Sequence, residues 1–167
     1  MKVNLRIMNK KLEAFAELVI KLVKTVHKEL GPGFTESVYQ GALAIELRRY
    51  KVNYLKEMSF EIFYKNQVAG TGRLDFFIKD SKLPNVIIET KSVDKISDSA
   101  RSQITSYLLS APKNNDADLQ NTVFGILINW PGAVLNTEKN FVLNNKLPEV
   151  EFFVRQGKKV KQIAIGE

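Results

Sequence analysis

The sequence predicts an α/β domain: a mixed sheet flanked by helices, with a β-hairpin extension at the C-terminus. Three observations lead there. Helical periodicity governs the chain up to Tyr50, and strand alternation takes over beyond it. The run Val86-Ile87-Ile88 is apolar without alternation, as expected of a strand covered on both faces, and "TVFGILINW" reads as a strongly apolar strand. Between them, "SDSARSQITSYLLSA" has the spacing of a helix. The order is then helix, helix, three strands, helix, strand and hairpin, which suits a mixed sheet with helices packed on it.

The first helix is expected from about Asn9 to Leu30, stopped by Gly31-Pro32-Gly33. Its apolar positions Leu12, Phe15, Val19, Leu22, Val23, Val26 and Leu30 form a stripe that suits a core. The lysines opposite leave a membrane-surface helix as the alternative. A second helix, "ESVYQGALAIELRRY", presents Val38, Leu43, Ile45 and Leu47 and ends near Tyr50. In "EMSFEIFYK", Met58, Phe60, Ile62 and Tyr64 alternate onto one face of a half-buried strand. A turn at Asn66 leads to "GTGRLDFFIKD", and another at "DSKLPN" leads to "VIIETKSV". Ser97 or Asp98 caps the third helix, and Ile104, Tyr107 and Leu108 lie on one side of it. "PKNNDADLQN" reads as a loop, and "VEFFVRQGKKVKQIAI" as a hairpin turning at Gln156-Gly157.

The length of 167 residues is expected to form one domain with a sizeable core. With no cysteine, thiolate zinc sites, disulfides and iron–sulfur clusters are excluded. His27 is the only histidine, which excludes a multi-histidine metal site and a histidine-based triad, and it reads as structural. No secretory leader or membrane span is visible, so an intracellular, cytoplasmic protein with no membrane partner is expected. A net charge of +7 suits a polyanionic partner.

Two adjoining strands carry charges that packing does not call for. Asp75 stands among apolar residues, while Glu89 and Lys91, two apart, share one strand face. If the turn near Pro84 closes a hairpin, Asp75 lies opposite Glu89, and two carboxylates and an ammonium meet at the end of a hydrophobic sheet. A cross-strand ion pair of Asp75 with Lys91 is the plain reading. It leaves the second carboxylate unexplained, because like charges at close range repel. A hard divalent cation resolves this, since magnesium takes one or two carboxylates, waters and phosphate oxygens.

The motif Asp75…Glu89-Thr90-Lys91 resembles the active-site signature of the PD-(D/E)XK nuclease superfamily. Gln103 and Tyr107, in "QITSY", are similar to the Q-x-x-x-Y motif of its RecB-type exonucleases. Gly33, Glu36 and Tyr39, in "GFTESVY", match the signature of the GxxExxY protein family within that superfamily. The resemblance covers roughly residues 15 to 130. It implies a restriction-endonuclease-like core and metal-dependent hydrolysis of DNA phosphodiesters. It also implies Mg2+ or Mn2+ held by Asp75, Glu89 and the Thr90 carbonyl, with Glu36 as a further acidic contact. Lys91 would position water and stabilise the transition state. Gln103 would orient Lys91 or the phosphate, and Tyr107 would support the site. Thr90 departs from the aliphatic residue commoner there. Gly33 would permit the sharp approach to the second helix, and Tyr39 would brace rather than react.

A non-catalytic nucleic-acid-binding or protein-interaction module of the same fold is the rival expectation. RNA as a substrate and a homodimer stay open. Trp130 reads as core or rim. Arg48, Arg49 and Lys51, with Lys158, Lys159 and Lys161, are phosphate contacts or simply solvated. Gly70 and Gly72 lack the lysine and helix of a phosphate loop.

Overall fold

A computed structural model of the protein describes residues 5–132, 134–135, 141–142 and 146–165. Helices α1 (Leu5–Leu30) and α2 (Glu36–Arg49) come first, followed by β1 (Tyr54–Tyr64), β2 (Gln67–Ile78) and β3 (Val86–Lys91). Helix α3 (Asp98–Ser110) runs into a 3₁₀ turn, Ala111–Lys113, and a short α4 (Ala117–Gln120). Strands β4 (Phe124–Asn129), β5 (Val134–Leu135), β6 (Phe141–Val142), β7 (Glu149–Gln156) and β8 (Lys159–Ile163) follow. The main sheet has six strands in the order β1-β2-β3-β4-β7-β8, while β5 and β6 pair separately. All neighbours in the main sheet are antiparallel except β3 and β4, which are parallel and joined through α3.

Alternation along the central strands divides the core. Phe76, Ile78, Val86, Ile88, Ile126 and Ile128 pack against α1 and α2 on one face. Phe77, Ile87, Leu127 and Phe153 pack against Ala100, Ile104 and Leu108 of α3 on the other. Both faces of β3 and β4 are therefore covered, and this is why their sequences do not alternate. The α1 stripe from Leu12 to Val26 lies wholly in the core, which accounts for its amphipathicity without a membrane. No helix among the described residues is long and apolar enough to cross a membrane.

Several elements differ from their sequence reading. Helix α1 already includes Leu5, since no breaker separates it from Asn9. On α2 the buried positions are Tyr39, Gln40, Leu43, Ala44 and Leu47, whereas Val38 and Ile45 are exposed. The true stripe runs at three- and four-residue spacing from Tyr39, and two apolar residues fall off it. Within the expected loop, Asp116 caps α4 by accepting from the Asp118 and Leu119 amides. The final hairpin turns at Gly157 and Lys158, because Gln156 pairs with Lys159 and Gly157 takes the left-handed φ of +61°. The hairpin extends the main sheet, for β7 pairs with β4 from Glu149 to Val154 and β8 follows at the edge.

Candidate active site

Asp75, Glu89 and Thr90 meet where the β2–β3 ladder runs out. That ladder pairs Ile78 with Val86, Phe77 with Ile87 and Phe76 with Ile88, so Asp75 comes next opposite Glu89. Side chains then take over from backbone pairing. The Asp75 amide donates to Glu89 Oε1 at 3.3 Å. Asp75 Oδ2 accepts from the Thr90 amide at 2.7 Å and from Thr90 Oγ1 at 2.9 Å.

The other edge of β2 is also irregular here. Glu57, at the level of Asp75, has a left-handed φ of +55° and falls between the pairs Lys56–Phe76 and Met58–Leu74. Leu74 packs on the α3 face with Phe77, although strict alternation would place it with Phe76. The strand thus changes face at Asp75, a local re-aiming of the kind found beside functional sites. Nothing in the sequence announces it.

Beyond β3 the backbone is tied from two sides. Trp130 N–H donates to the Lys91 carbonyl at 3.0 Å. Asn129, on β4, grips Val93 through both its amide and its carbonyl, at 3.0 and 2.9 Å. From the α1–α2 loop, the Phe34 carbonyl accepts from Ser92 Oγ at 2.9 Å. Gly31 and Gly33 turn that loop with φ of +73° and +98°, a conformation that favours glycine. Tyr39 fixes it, donating from its hydroxyl to the Gly31 carbonyl at 2.8 Å and accepting from Phe34 N–H at 3.3 Å.

Glu36 opens α2 in its first turn, half-buried and within the electrostatic reach of Asp75 and Lys91. Burial raises its pKa above the ordinary carboxylate value; Lys91 opposes this and Asp75 adds to it. Glu89 is only 1% exposed. Its pKa is pushed up to about 8, chiefly by burial and then by the charge of Asp75. Lys91 makes no ion pair among the described residues, so the Asp75–Lys91 pair of the plain reading does not form.

Gln103 and Tyr107 lie on α3, whose side of the sheet Glu89 and Lys91 share with Ile87 by alternation. Gln103 Nε2 donates to the Tyr107 hydroxyl at 3.0 Å, and the Tyr107 ring meets Phe60 edge-on at 4.9 Å. Neither is hydrogen-bonded to Asp75, Glu89 or Lys91 among the described residues. One polar residue of the group went unread in the sequence. Gln40, one turn after Glu36, donates to Glu36 Oε1 at 3.3 Å and to Thr90 Oγ1 at 2.8 Å.

The donor set fits a hard divalent cation. Two carboxylates lie side by side, and burial together with the charge of Asp75 opposes ionisation of Glu89. Asp75 Oδ1 and Glu89 Oε2 accept no hydrogen bond among the described residues, yet neither is a buried atom left without a partner, so both reach solvent. Among the described residues no three His, Cys, Asp or Glu side chains gather as a metal cage. A pair of carboxylates is what a hard divalent cation takes, completing its shell with water and phosphate.

No curated protein and no solved structure matches the chain. A family model described as the PD-(D/E)XK nuclease superfamily matches residues 13–139, a span that holds α2, the first four strands of the main sheet and α3. Members of that superfamily are metal-dependent nucleases. A match over most of the length, with the carboxylates and the lysine drawn together at the end of β3, means that this chain belongs to the PD-(D/E)XK nuclease superfamily.

Proposed function

We propose that the protein is a Mg2+- or Mn2+-dependent deoxyribonuclease, a relative of the GxxExxY proteins with the RecB-type Q-x-x-x-Y pair at Gln103 and Tyr107. The observation that carries this reading is the junction of Asp75 and Glu89 across β2 and β3, with Lys91 two residues on. Asp75, Glu89 and the Thr90 carbonyl would hold the cation, with Glu36 as a further acidic contact. When bound, the cation supplies Lewis-acid polarisation of a phosphoryl oxygen and an activated water.

The chain's own residues do the rest. Lys91, free of an ion pair, holds the attacking water and offsets the charge that develops on the phosphate oxygens. Glu36 adds negative charge from the N-terminal turn of α2. Gln103 stands on the same side of the sheet as Lys91, as a donor to a phosphate oxygen, with Tyr107 fixing its amide. The exposed cations Arg48, Arg49 and Lys51, and Lys158, Lys159 and Lys161, serve as backbone contacts for the polyanion.

The test is incubation with linear, circular and single-stranded DNA, and with RNA, in the presence of Mg2+ or Mn2+. Cleavage that stops with chelator and is lost in folded Asp75→Ala, Glu89→Ala and Lys91→Ala proteins is expected. Full cleavage by folded, contaminant-free Lys91→Ala protein would remove the role given to that residue. Metal-independent binding of nucleic acid without cleavage would favour the non-catalytic module.

A further inference from the structure

We propose that Gln40 is a positioning residue for the acidic group, acting through the Thr90 hydroxyl on Asp75. The inference rests on the reading of this group as a cation-dependent nuclease centre. Gln40 is 7% exposed on a helix face otherwise occupied by Tyr39, Leu43, Ala44 and Leu47. Packing alone gives no reason for an amide there, because an apolar side chain would fill the space without needing partners. Both of its hydrogen bonds run to the acidic group instead, one to Glu36 Oε1 and one to Thr90 Oγ1. Thr90 is fully buried and poses the same question, since an aliphatic residue would also fit. Each residue explains the other.

The direction of the bonds follows from their chemistry. An amide nitrogen has two protons to give, a hydroxyl has one, and an ionised carboxylate has none. Gln40 Nε2 donates one proton to Glu36 and one to Thr90 Oγ1, which leaves the hydroxyl proton for Asp75 Oδ2 at 2.9 Å. Turning the amide over would aim its oxygen at Glu36 and draw the Thr90 proton away from Asp75. The bridge therefore reaches from the first turn of α2 to β3 and on to β2, and it ends on a carboxylate oxygen at either side. It occupies one oxygen of Asp75 and one of Glu36. Their rotamers are set by these bonds, while Asp75 Oδ1 and Glu36 Oε2 stay open for a ligand. Outer partners of this kind are what orient metal-binding carboxylates.

The experiment compares wild type with Gln40→Met, Thr90→Val and the double variant. Gln40→Met keeps the bulk of the side chain. Thr90→Val keeps the backbone bond to Asp75 Oδ2, so it stands as the second probe should the first variant fold poorly. Mn2+ affinity is measured by calorimetry without nucleic acid, and unfolding is measured without metal. Each single substitution is expected to weaken Mn2+ binding by about tenfold. The double variant should bind little worse than either single, because one break already severs the bridge. Metal-free stability losses should be less than additive for the same reason. Cleavage by the variants should recover at high Mn2+ with KM for DNA unchanged, a response that lost packing would not give. Wild-type Mn2+ affinity in both single variants, with additive stability losses, would overturn the inference alone. A wild type that binds no Mn2+ would overturn the nuclease reading, and this inference with it.

Discussion

The rings of Tyr39 and Trp130 stack with centroids 5.2 Å apart and an interplanar angle of 3°. Both are fully buried, and the stack joins the start of α2 to the end of β4. Through its hydroxyl, Tyr39 also holds the loop that reaches Ser92, just past Lys91. The tyrosine of "GFTESVY" is thus a brace for the strand end that carries the charges. Tyr39→Phe keeps the stack and loses the hydroxyl's bonds, so a stability loss of about 1 kcal/mol is expected in urea unfolding. Tyr39→Ala should cost on the order of 3–5 kcal/mol, as for other buried aromatics. A Phe variant as unstable as the Ala variant would contradict this division of roles.

Glu89 gives a signature in pH. Its carboxyl is held more strongly protonated in the fold than in the unfolded chain, with a pKa of about 8 against an ordinary 4.5. Its contribution to stability is therefore fully present below about pH 4.5 and is lost as pH rises through about 8. The metal-free melting temperature should fall across this window, by an amount on the order of a few kcal/mol in free energy. Glu89→Gln should flatten that fall, and the difference between the two proteins isolates the group. Divalent cation binding should tighten over the same range as the competing proton leaves. Identical pH profiles for the two proteins would show that Glu89 is not held protonated.

Glu36→Gln separates charge from structure. The amide oxygen of the replacement can still accept from Gln40, and a half-buried charge opposed by Asp75 is removed. Metal-free stability should be unchanged or slightly raised. Cation affinity and cleavage rate should both fall strongly. Normal cleavage with an unshifted metal dependence would return Glu36 to a simple helix-start residue favoured by the macrodipole.

Binding to DNA should be governed by salt. Contacts between phosphates and the exposed lysines and arginines release counterions, so affinity should drop by about tenfold or more between roughly 50 and 200 mM salt. A flat response in a filter-binding or fluorescence titration would point to a partner other than nucleic acid.

The part of the site carried by strands was legible in the sequence, and the part carried across the fold was not. Asp75, Glu89 and Lys91 stand out because a strand's period of two gives each side chain a face, and charge on a covered face needs a reason. Val86 to Ile88 was legible for the same reason, as a strand covered twice, and the β4 run was legible only as a strongly apolar strand. Gln40 was silent, since a glutamine on a helix is ordinary until Thr90, 50 residues on, is known to stand against it. Val38 and Ile45 misled because α2 carries more apolar residues than its buried stripe can take. The face change at Asp75 depends on the left-handed backbone of Glu57, a glutamate with no local signal for it. That β7 enters the sheet beside β4 was also hidden, because partner choice between distant strands is set by the whole core.

The pairing of β7 with β4 has a consequence for how this protein can be cut. The family match ends at residue 139, yet Phe152 of β7 fills one core and Phe153 the other. A chain trimmed to the matched span would bare the edge of β4 beside two opened apolar faces. Naked hydrophobic edges invite pairing between molecules, so such a fragment should aggregate rather than stand alone. The last strands, which carry none of the charged residues of the site, act as the sheet's guard against self-association.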